Sequence, residues 1–194
     1  IGQIMCVSEY ENVRIDSVVV MGIGEPFDNF ENIKRFIKIV THNKMIGIGQ
    51  RHLTISTCGL VPKIYEFADL ETGVNLAISL HAPNNEIRNK IMKINKAYKI
   101  EELMKALDYY IEKTNRRVTI EYIMLAGVND SDECAKQLAN LVKGKLMYVN
   151  LIPYNETNNL DFKKSERIKE FKDTLLNCGI NVTVRREFGG NISA

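Results

Sequence analysis

An apolar stretch that ends in a glycine-rich turn constrains the fold of this chain most strongly. The stretch Val18-Val19-Val20-Met21 leads directly into Gly22-Ile23-Gly24-Glu25-Pro26. A valine-rich run of this length, bounded by glycines, predicts a strand buried on both faces, as in a parallel sheet with helices around it. Apolar residues at helical spacing follow from Phe30 to Val40. The sequence therefore predicts a strand, a loop and a helix, which make the first unit of a β/α series.

The same alternation continues along the chain. Further strands are predicted at residues 52–56, 74–80, 117–125, 145–152 and 182–185. Helices are predicted at residues 1–10, 30–40, 61–70, 84–93, 100–113, 130–142 and 165–177. Asp130 and Glu133 have the spacing of a capping box at the start of one of these helices. The fold class is therefore α/β, and the pattern leaves two architectures open, a (β/α) barrel and an open doubly wound sheet.

Composition is that of an ordinary globular domain. The 194 residues are 45% hydrophobic and 26% charged, and a domain of this length buries roughly 70% of the surface of its unfolded chain. No apolar run approaches the ~20 residues of a membrane span, and nothing at the start resembles a signal peptide. We therefore expect a cytoplasmic protein without a membrane partner. The net charge of +2 gives almost no information about nucleic-acid binding.

Polar or charged residues stand where several predicted strands end. Glu25, Ser56, the Ser79-Leu80-His81 segment and Asn155 all occupy such positions. A barrel gathers the carboxyl ends of its strands on one rim, where ligands bind, so we expect these residues to converge. Taken alone, Glu25 is equally well interpreted as a helix-capping carboxylate, and His81 is better interpreted as a structural hydrogen-bonding residue than as a ligand-binding one.

Five motifs follow one another in order along nearly the whole chain. They are Gly22-Ile23-Gly24-Glu25-Pro26, Ser56-Thr57-Cys58-Gly59, Ser79-Leu80-His81-Ala82-Pro83, the segment from Ile120 to Asp130, and Asn150-Leu151-Ile152-Pro153-Tyr154-Asn155. In this combination the chain resembles the bacterial dual-specificity RNA methyltransferases of the RlmN type, which are radical S-adenosylmethionine (SAM) enzymes. The resemblance implies methylation of C2 of an adenine in 23S ribosomal RNA and in some transfer RNAs. It also implies an incomplete (β/α)6 barrel.

The resemblance assigns the residues that bind SAM. They are Gly24, Glu25, Ser56, Ser79, Leu80, His81 and Asn155. In this assignment the first two hold the methionine end of SAM. The two serines and the histidine, with the backbone at Leu80, line its nucleoside side, and Asn155 closes the site. A carboxylate suits the SAM α-ammonium, and hydroxyl, imidazole and amide groups suit ribose and adenine edges.

The cysteines of the family pattern are absent from the chain. The family's [4Fe–4S] cluster is held by a Cys-x3-Cys-x2-Cys loop, which by this resemblance precedes Ile1. The four cysteines present cannot replace that loop, because they stand far apart, and they form neither a disulfide framework nor a Cys-x-x-Cys site. They are Cys6, Cys58, Cys134 and Cys178. The family's methyl-carrying cysteine lies in an Asp-Ile-x-Ala-Ala-Cys-Gly stretch, which begins here as Asn191-Ile192-Ser193-Ala194 and stops before the cysteine.

We therefore expect residues 1–194 to be a fragment of a radical SAM barrel. On this expectation the first barrel strand, the N-terminal accessory domain, the cluster loop and the C-terminal cysteine segment are missing. The fragment then has no catalytic residue and no metal ligands of its own, binds no cluster and is inactive alone. The strand at residues 15–21 becomes a bare sheet edge, which we expect residues 1–10 or a second copy of the chain to cover.

Three alternatives remain open. Cfr-type enzymes methylate C8 of the same adenine, although Pro26 after Glu25 favours the RlmN type. A phosphate-binding barrel enzyme with acid–base chemistry would instead gather anion-binding turns after its last strands. A non-catalytic RNA-binding module would show a contiguous basic face with exposed aromatic residues. The basic pairs Arg116-Arg117, Lys163-Lys164 and Arg185-Arg186 are candidates for RNA phosphate contacts, but each pair taken singly is better interpreted as a solvated face.

Overall fold

Six parallel strands form one sheet in the part of the chain that the computed structural model describes, residues 1–156 and 161–186. They are β1 (Val18–Val20), β2 (Leu53–Thr57), β3 (Asn75–Ser79), β4 (Val118–Met124), β5 (Met147–Pro153) and β6 (Val182–Val184). Each strand pairs in parallel with the next strand in the sequence. A doubly wound sheet reverses its strand order at a switch point. The sequential order therefore excludes that architecture and leaves the barrel type.

The described residues include seven α-helices. They are α1 (Gly2–Tyr10), α2 (Phe30–Thr41), α3 (Val61–Asp69), α4 (Asn85–Ile91), α5 (Ile100–Thr114), α6 (Asp132–Val142) and α7 (Ile168–Asn177). The predicted β/α alternation is confirmed, and the last helix begins at Ile168 rather than at residue 165. None of these helices is long and apolar enough to cross a bilayer. The motif that begins at Asn191 lies outside the described residues.

The sheet curls so that its two outer strands approach each other. Arg185, which directly follows β6, donates from Nη1 to Sδ of Met21, which directly follows β1, at 3.1 Å. Within the described residues, β1 and β6 are not paired with each other. The described part is therefore an incomplete, curved (β/α) barrel, in agreement with the expectation from the sequence.

The outer, convex face of the sheet packs against the helices and forms the hydrophobic core. Fully buried residues at alternate strand positions, such as Leu53 and Ile55 of β2, point this way. The helices contribute apolar residues at a spacing of three or four, as α5 shows with Ile100, Leu103, Met104, Leu107 and Tyr110. Fully burying one such side chain stabilises the fold by roughly 1.5–3 kcal/mol. Because one face of each strand packs on this core, the side chains of its other face point to the concave side of the sheet.

The inner, concave face of the sheet is mostly polar, which the hydrophobic pattern of the sequence did not indicate. Because successive side chains of a strand point to opposite faces, the residues between the core positions line the inner face. They include Thr54, Ser56, Asn75, Ser79, Thr119, Glu121, Tyr148, Asn150 and Thr183. In the middle of this face, Asn150 donates to Glu121 at 2.9 Å and accepts from Thr183 at 2.8 Å. The barrel interior is therefore suited to polar ligands rather than filled by apolar side chains.

Two local predictions were wrong for identifiable reasons. The first strand is not buried on both faces: Val18 and Val20 pack on the core, whereas Val19 is 58% exposed on the inner side. The cap of α6 is Ser131, whose Oγ accepts from the backbone N–H of Cys134 at 3.2 Å. Asp130 does not cap the helix, because its carboxylate accepts from Gly127 N–H at 3.0 Å and from Ser165 Oγ at 2.6 Å.

The edge formed by β1 remains accessible. Its partner in the described sheet is β2 alone. Helix α1 has no buried residue, and Ile1 and Ile4 stand beside β1 along an open cleft of about 560 Å³. Residues 1–4 therefore stand beside this edge without a buried side chain, and its coverage by residues 1–10 or by a second copy stays a prediction.

Candidate functional site

A small cavity lies at the carboxyl ends of β1, β2 and β3. Its volume is about 160 Å³. Five of the residues predicted to bind SAM line it: Gly24, Glu25, Ser56, Ser79 and His81. They meet because parallel strands in sequential order place successive loops side by side on one rim. The cavity has a mixed lining of carboxylate, hydroxyl, imidazole and backbone groups.

Leu80 and Asn155 are placed differently. The side chain of Leu80 is fully buried in the hydrophobic core, and its backbone N–H donates to Glu121 O at 3.1 Å. The carbonyl of Leu80 accepts from Nε of Arg88 at 3.2 Å. Asn155 is exposed, two residues after β5, and does not line the cavity. Neither side chain joins the cluster.

Glu25 ties two loops together. Its Oε1 accepts from the backbone N–H of Phe27 at 3.0 Å and so caps the 3-10 turn Pro26–Asn29. Its Oε2 accepts from the backbone N–H of Cys58, in the loop after β2, at 2.7 Å. Gly24 supports this arrangement with a φ of +101°, a conformation that glycine adopts without strain. The carboxylate is therefore fixed at the mouth of the first strand, and each oxygen keeps a lone pair for a ligand.

His81 is held in a rare conformation as a neutral imidazole. Its φ of +58° lies in the left-handed region, which is uncommon for residues other than glycine. Its Nδ1 accepts from the backbone N–H of Ile123 at 3.1 Å, which leaves the ring proton on Nε2. Burial, assisted by the charge of Arg88, lowers the pKa of His81 to about 4. At neutral pH the ring therefore offers a single N–H donor.

Asn129 fixes the backbone around His81, and the sequence analysis gave it no role. It is fully buried. Its Nδ2 donates to the carbonyls of His81 at 2.8 Å and Ile123 at 2.7 Å, and its Oδ1 accepts from Leu125 N–H at 2.8 Å. One amide thus joins the loop after β3 to the end of β4. Its place in the Ile120-to-Asp130 motif is the signal that pointed to it.

Arg88, on α4, is the second residue that the sequence analysis missed. Its side chain is fully buried. The guanidinium donates to the carbonyls of Cys58 at 2.7 Å and Leu80 at 3.2 Å, and to Oδ1 of Asn95 at 3.1 Å. Burial lowers the pKa of Arg88 to about 10, so the side chain is still a cation at neutral pH. It therefore clamps the loops after β2 and β3 from beneath the cavity.

Cys58 supplies backbone contacts rather than a reactive thiol. Its N–H binds Glu25 and its carbonyl binds Arg88. Burial and the adjacent Glu25 carboxylate raise the pKa of the Cys58 thiol to about 12. The thiolate, which is the nucleophilic and metal-binding form, is therefore scarce at neutral pH. Its structural interpretation is the better one.

The cavity suits SAM in chemical type and does not suit an iron–sulfur cluster. An anchored carboxylate, two serine hydroxyls and a neutral imidazole match the ammonium, ribose and adenine groups of SAM. A cavity of about 160 Å³ is smaller than the ~300–1,000 Å³ of sites that enclose a whole ligand of drug size, so it has room for only one end of such a molecule. Among the described residues, no group of three or more His, Cys, Asp or Glu side chains could hold a metal ion.

The sequence matches a known protein family and several curated proteins. The family model of the radical SAM superfamily matches residues 7–139. A probable dual-specificity RNA methyltransferase RlmN of Spiroplasma citri is 57% identical over 99% of this chain and 56% of its own length. A second, from Caldanaerobacter subterraneus subsp. tengcongensis, is 55% identical over 100% of this chain and 57% of its own length. The chain thus spans about half the length of the curated relatives it matches.

Solved structures show the same fold. A radical SAM methyltransferase from Sphaerobacter thermophilus superposes with a TM-score of 0.92 at 42% identity, over 96% of this chain and 55% of that one. A domain of a pyruvate-formate lyase-activating enzyme from Bacteroides vulgatus has a TM-score of 0.66 at 16% identity, over 89% of this chain and 100% of that one. The second likeness concerns the fold alone.

Proposed function

The chain belongs to the radical SAM superfamily, and from this premise we propose that the protein methylates C2 of adenine in 23S ribosomal RNA and in transfer RNA. Members of this superfamily generally use SAM and a [4Fe–4S] cluster. One observation carries the proposal: relatives that match the chain over almost its whole length are named dual-specificity RNA methyltransferases. The five residues that share one cavity support SAM as the ligand.

In this proposal the cavity residues bind and orient the ligand. The free lone pairs of Glu25 accept from the α-ammonium in a charge-assisted hydrogen bond. The hydroxyls of Ser56 and Ser79 bind polar edges, and His81 donates from Nε2 to the ribose or the adenine. SAM supplies the methyl group when it is bound. Leu80 contributes through its backbone, and Asn155 closes the site from the loop after β5.

We assign residues 1–194 to one partial barrel domain. In this proposal the cluster loop, the N-terminal accessory domain and the C-terminal cysteine segment belong to the rest of the protein. The target adenine must leave its stack to reach a cavity on the barrel rim, as other enzymes that modify bases require. Because ribosomes and transfer RNA are its substrates, we propose a cytoplasmic location.

The test uses the complete protein in cells that lack their own adenine-C2 methyltransferase. We expect mass spectrometry of digested RNA to show that 2-methyladenosine returns to ribosomal and transfer RNA. The Glu25→Gln variant should lose most of this activity, whereas Glu102→Gln, at an exposed position on α5, should retain it. The appearance of 8-methyladenosine would identify the Cfr-type alternative. No methylated adenine in either RNA would reject the proposal.

We also propose that two copies of the chain associate through β1. Val19 is 58% exposed on a strand paired on one side within the described sheet, and such an edge is a template for pairing. Light scattering should detect dimers of the wild-type chain, and Val19→Lys should shift them to monomers. Leu176→Lys, at an exposed position on α7, is the matched control and should leave the dimer intact. A wild-type chain that is monomeric at every concentration would contradict this proposal.

A further inference from the structure

A second cavity opens at the amino-terminal ends of the strands, at the opposite end of the concave face from the candidate site. Its volume is about 460 Å³. Four neighbouring strands line it with Thr54, Asn75, Thr119 and Tyr148, and the Arg116-Arg117 pair lies just before β4. None of the described residues that line it is acidic. The cavity is therefore polar and cationic.

Arg116 is oriented within this cavity and keeps an unused donor. Its Nη2 donates to Oδ1 of Asn75 at 2.5 Å. The amide of Asn75 cannot turn freely, because its Nδ2 donates to the carbonyl of Arg51 at 2.7 Å. The Nε of Arg116 is buried and has no hydrogen-bond partner in the described part of the chain. Buried donors are normally satisfied, above all on charged groups, so the guanidinium of Arg116 is not fully satisfied by the protein. The N–H groups that it offers to the cavity are those other than Nε.

Arg117 adds a second guanidinium at the cavity mouth. Its guanidinium carbon lies 4.2 Å from the centroid of the Tyr148 ring, so a cation–π interaction restrains an otherwise exposed side chain. Two guanidinium groups present planar sets of donors that match the oxygens of a phosphate. The hydroxyls of Thr54 and Thr119 add further donors on the cavity wall. This arrangement favours the phosphate-binding interpretation of the Arg116-Arg117 pair over that of a solvated face.

We propose that this cavity binds a phosphate group. The guanidinium groups of Arg116 and Arg117, which line the cavity, donate to the phosphate oxygens, and Asn75 holds Arg116 in position. The cavity is larger than one phosphate and leaves room for the group that carries it. A free phosphate compound and the backbone of an RNA both present this chemistry. The inference does not rest on the methyl-transfer proposal, because phosphate binding is measured without SAM and without methylation.

The first test is calorimetric titration of inorganic phosphate into the full 194-residue chain. We expect saturable binding at one site, weakened about tenfold or more by Arg116→Gln and by Arg117→Gln, because each removes charge-assisted hydrogen bonds. Arg35→Gln, at an exposed position on α2, is the matched control and should bind like the wild type. Since Arg117 is exposed, its variant should fold even where the Arg116 variant does not. Absence of saturable binding, or equal weakening by Arg35→Gln, would overturn the proposal.

A second titration distinguishes the source of the phosphate. A fluorescent single-stranded RNA oligonucleotide is bound to the same variants, with and without inorganic phosphate as competitor. If Arg116→Gln weakens RNA binding, flattens its salt dependence and removes the competition, the cavity takes an RNA backbone phosphate. If the variants lose phosphate binding and keep RNA binding, the ligand is a small phosphate compound. If the wild type binds neither probe, the proposal fails.

Discussion

Single side chains give the candidate site its shape before any ligand arrives. Each carboxylate oxygen of Glu25 accepts one backbone hydrogen bond, from Phe27 or from Cys58. Glu25 is therefore both a capping carboxylate and a candidate ligand-binding group. His81 is similarly committed through Nδ1 to Ile123. Such anchoring limits the rotamers that would otherwise have to be ordered on binding. The functional and the structural interpretations of these two residues are therefore not exclusive.

Replacing Glu25 by Gln separates these two roles. In the complete protein we expect SAM affinity to fall by roughly 1.5–3 kcal/mol, because a hydrogen bond to a charged group is lost. Stability should also fall by about 1 kcal/mol, because the amide NH2 cannot accept from a backbone N–H. Calorimetric SAM titration and urea unfolding measure the two effects, with Glu102→Gln as the control. Unchanged SAM affinity together with reduced stability would show that Glu25 is structural alone.

His81 should make stability depend on pH. Its pKa is about 4 in the folded chain against an ordinary value of 6.5, so between these values the unfolded chain binds more protons than the folded one. Its contribution is therefore complete above pH 6.5 and is lost as the pH falls towards 4. After a discount for the partly exposed ring, the loss is on the order of 2 kcal/mol.

The His81→Asn variant tests this dependence, because Asn tolerates the left-handed conformation and does not titrate. Urea unfolding at about pH 5 and about pH 7 should show a smaller difference in the free energy of unfolding for this variant than for the wild type. His42→Asn, at an exposed histidine, should behave like the wild type. An equal difference in all three proteins would mean that His81 titrates normally.

The loops after β2 and β3 owe their mutual position to a buried cation on α4. Arg88 contacts both loops through backbone carbonyls, and within the described residues it forms no ion pair with a carboxylate. A buried charge of this kind costs desolvation energy. The contacts recover that cost only in this one arrangement of the strand ends. The cavity geometry is thus a property of three elements together.

Arg88→Met should loosen that arrangement. We expect the free energy of unfolding to fall by about 2–4 kcal/mol, because the carbonyls of Cys58 and Leu80 lose their donor inside the protein. Arg88→Lys should recover little of this, since one ammonium cannot reproduce the planar fork. Arg35→Met, at an exposed position, should change stability by less than about 0.5 kcal/mol. Denaturant unfolding provides the measurement, and equal stability of the Arg88 and Arg35 variants would contradict the clamp.

The molecule as a whole is a curved sheet whose convex face packs on the apolar core and whose concave face is mostly polar. One cavity lies on the concave face at the carboxyl ends of the strands and contains a carboxylate and an imidazole. The other lies at the amino ends of the strands and contains two guanidinium groups. Helices α2, α3, α5, α6 and α7 contribute core residues on the convex side of the strands. Both candidate cavities open on the concave side.

The four cysteines should not assemble a [4Fe–4S] cluster in this chain. They lie on separate elements: Cys6 on α1, Cys58 after β2, Cys134 on α6 and Cys178 after α7. Such a cluster needs several thiolates converging on one point. We expect iron and sulfide analysis after anaerobic reconstitution to give far less than one cluster for each chain. Stoichiometric iron and sulfide with the cluster's absorbance would contradict this prediction.

The sequence by itself determined the order and type of the elements and the ends at which chemistry gathers. Periodicity placed the strands and helices, because the spacing of the apolar residues shows whether the side of a segment that faces the core has the repeat of a strand or of a helix. The motifs identified Glu25, Ser56, Ser79 and His81 as site residues. Their convergence was predictable because the loops that follow parallel strands lie on one rim of a barrel. The sequence did not identify the residue that caps α6, because Ser131 and Asp130 are both good capping residues. Only the contact of Asp130 with Ser165 decides between them.

Tertiary structure alone decided what the inside of the barrel contains. The Thr, Ser and Asn residues that alternate with apolar ones in β2 and β3 show a polar face once curvature turns them towards one another. Arg88 and Asn129 acquire their roles from partners that lie 30 and 48 residues away in the chain. Arg116 looks like half of a solvated pair until Asn75 holds it with Nε buried. Such contacts join segments that are distant in the sequence, and they stabilise the protein only after the sheet has formed and brought those segments together.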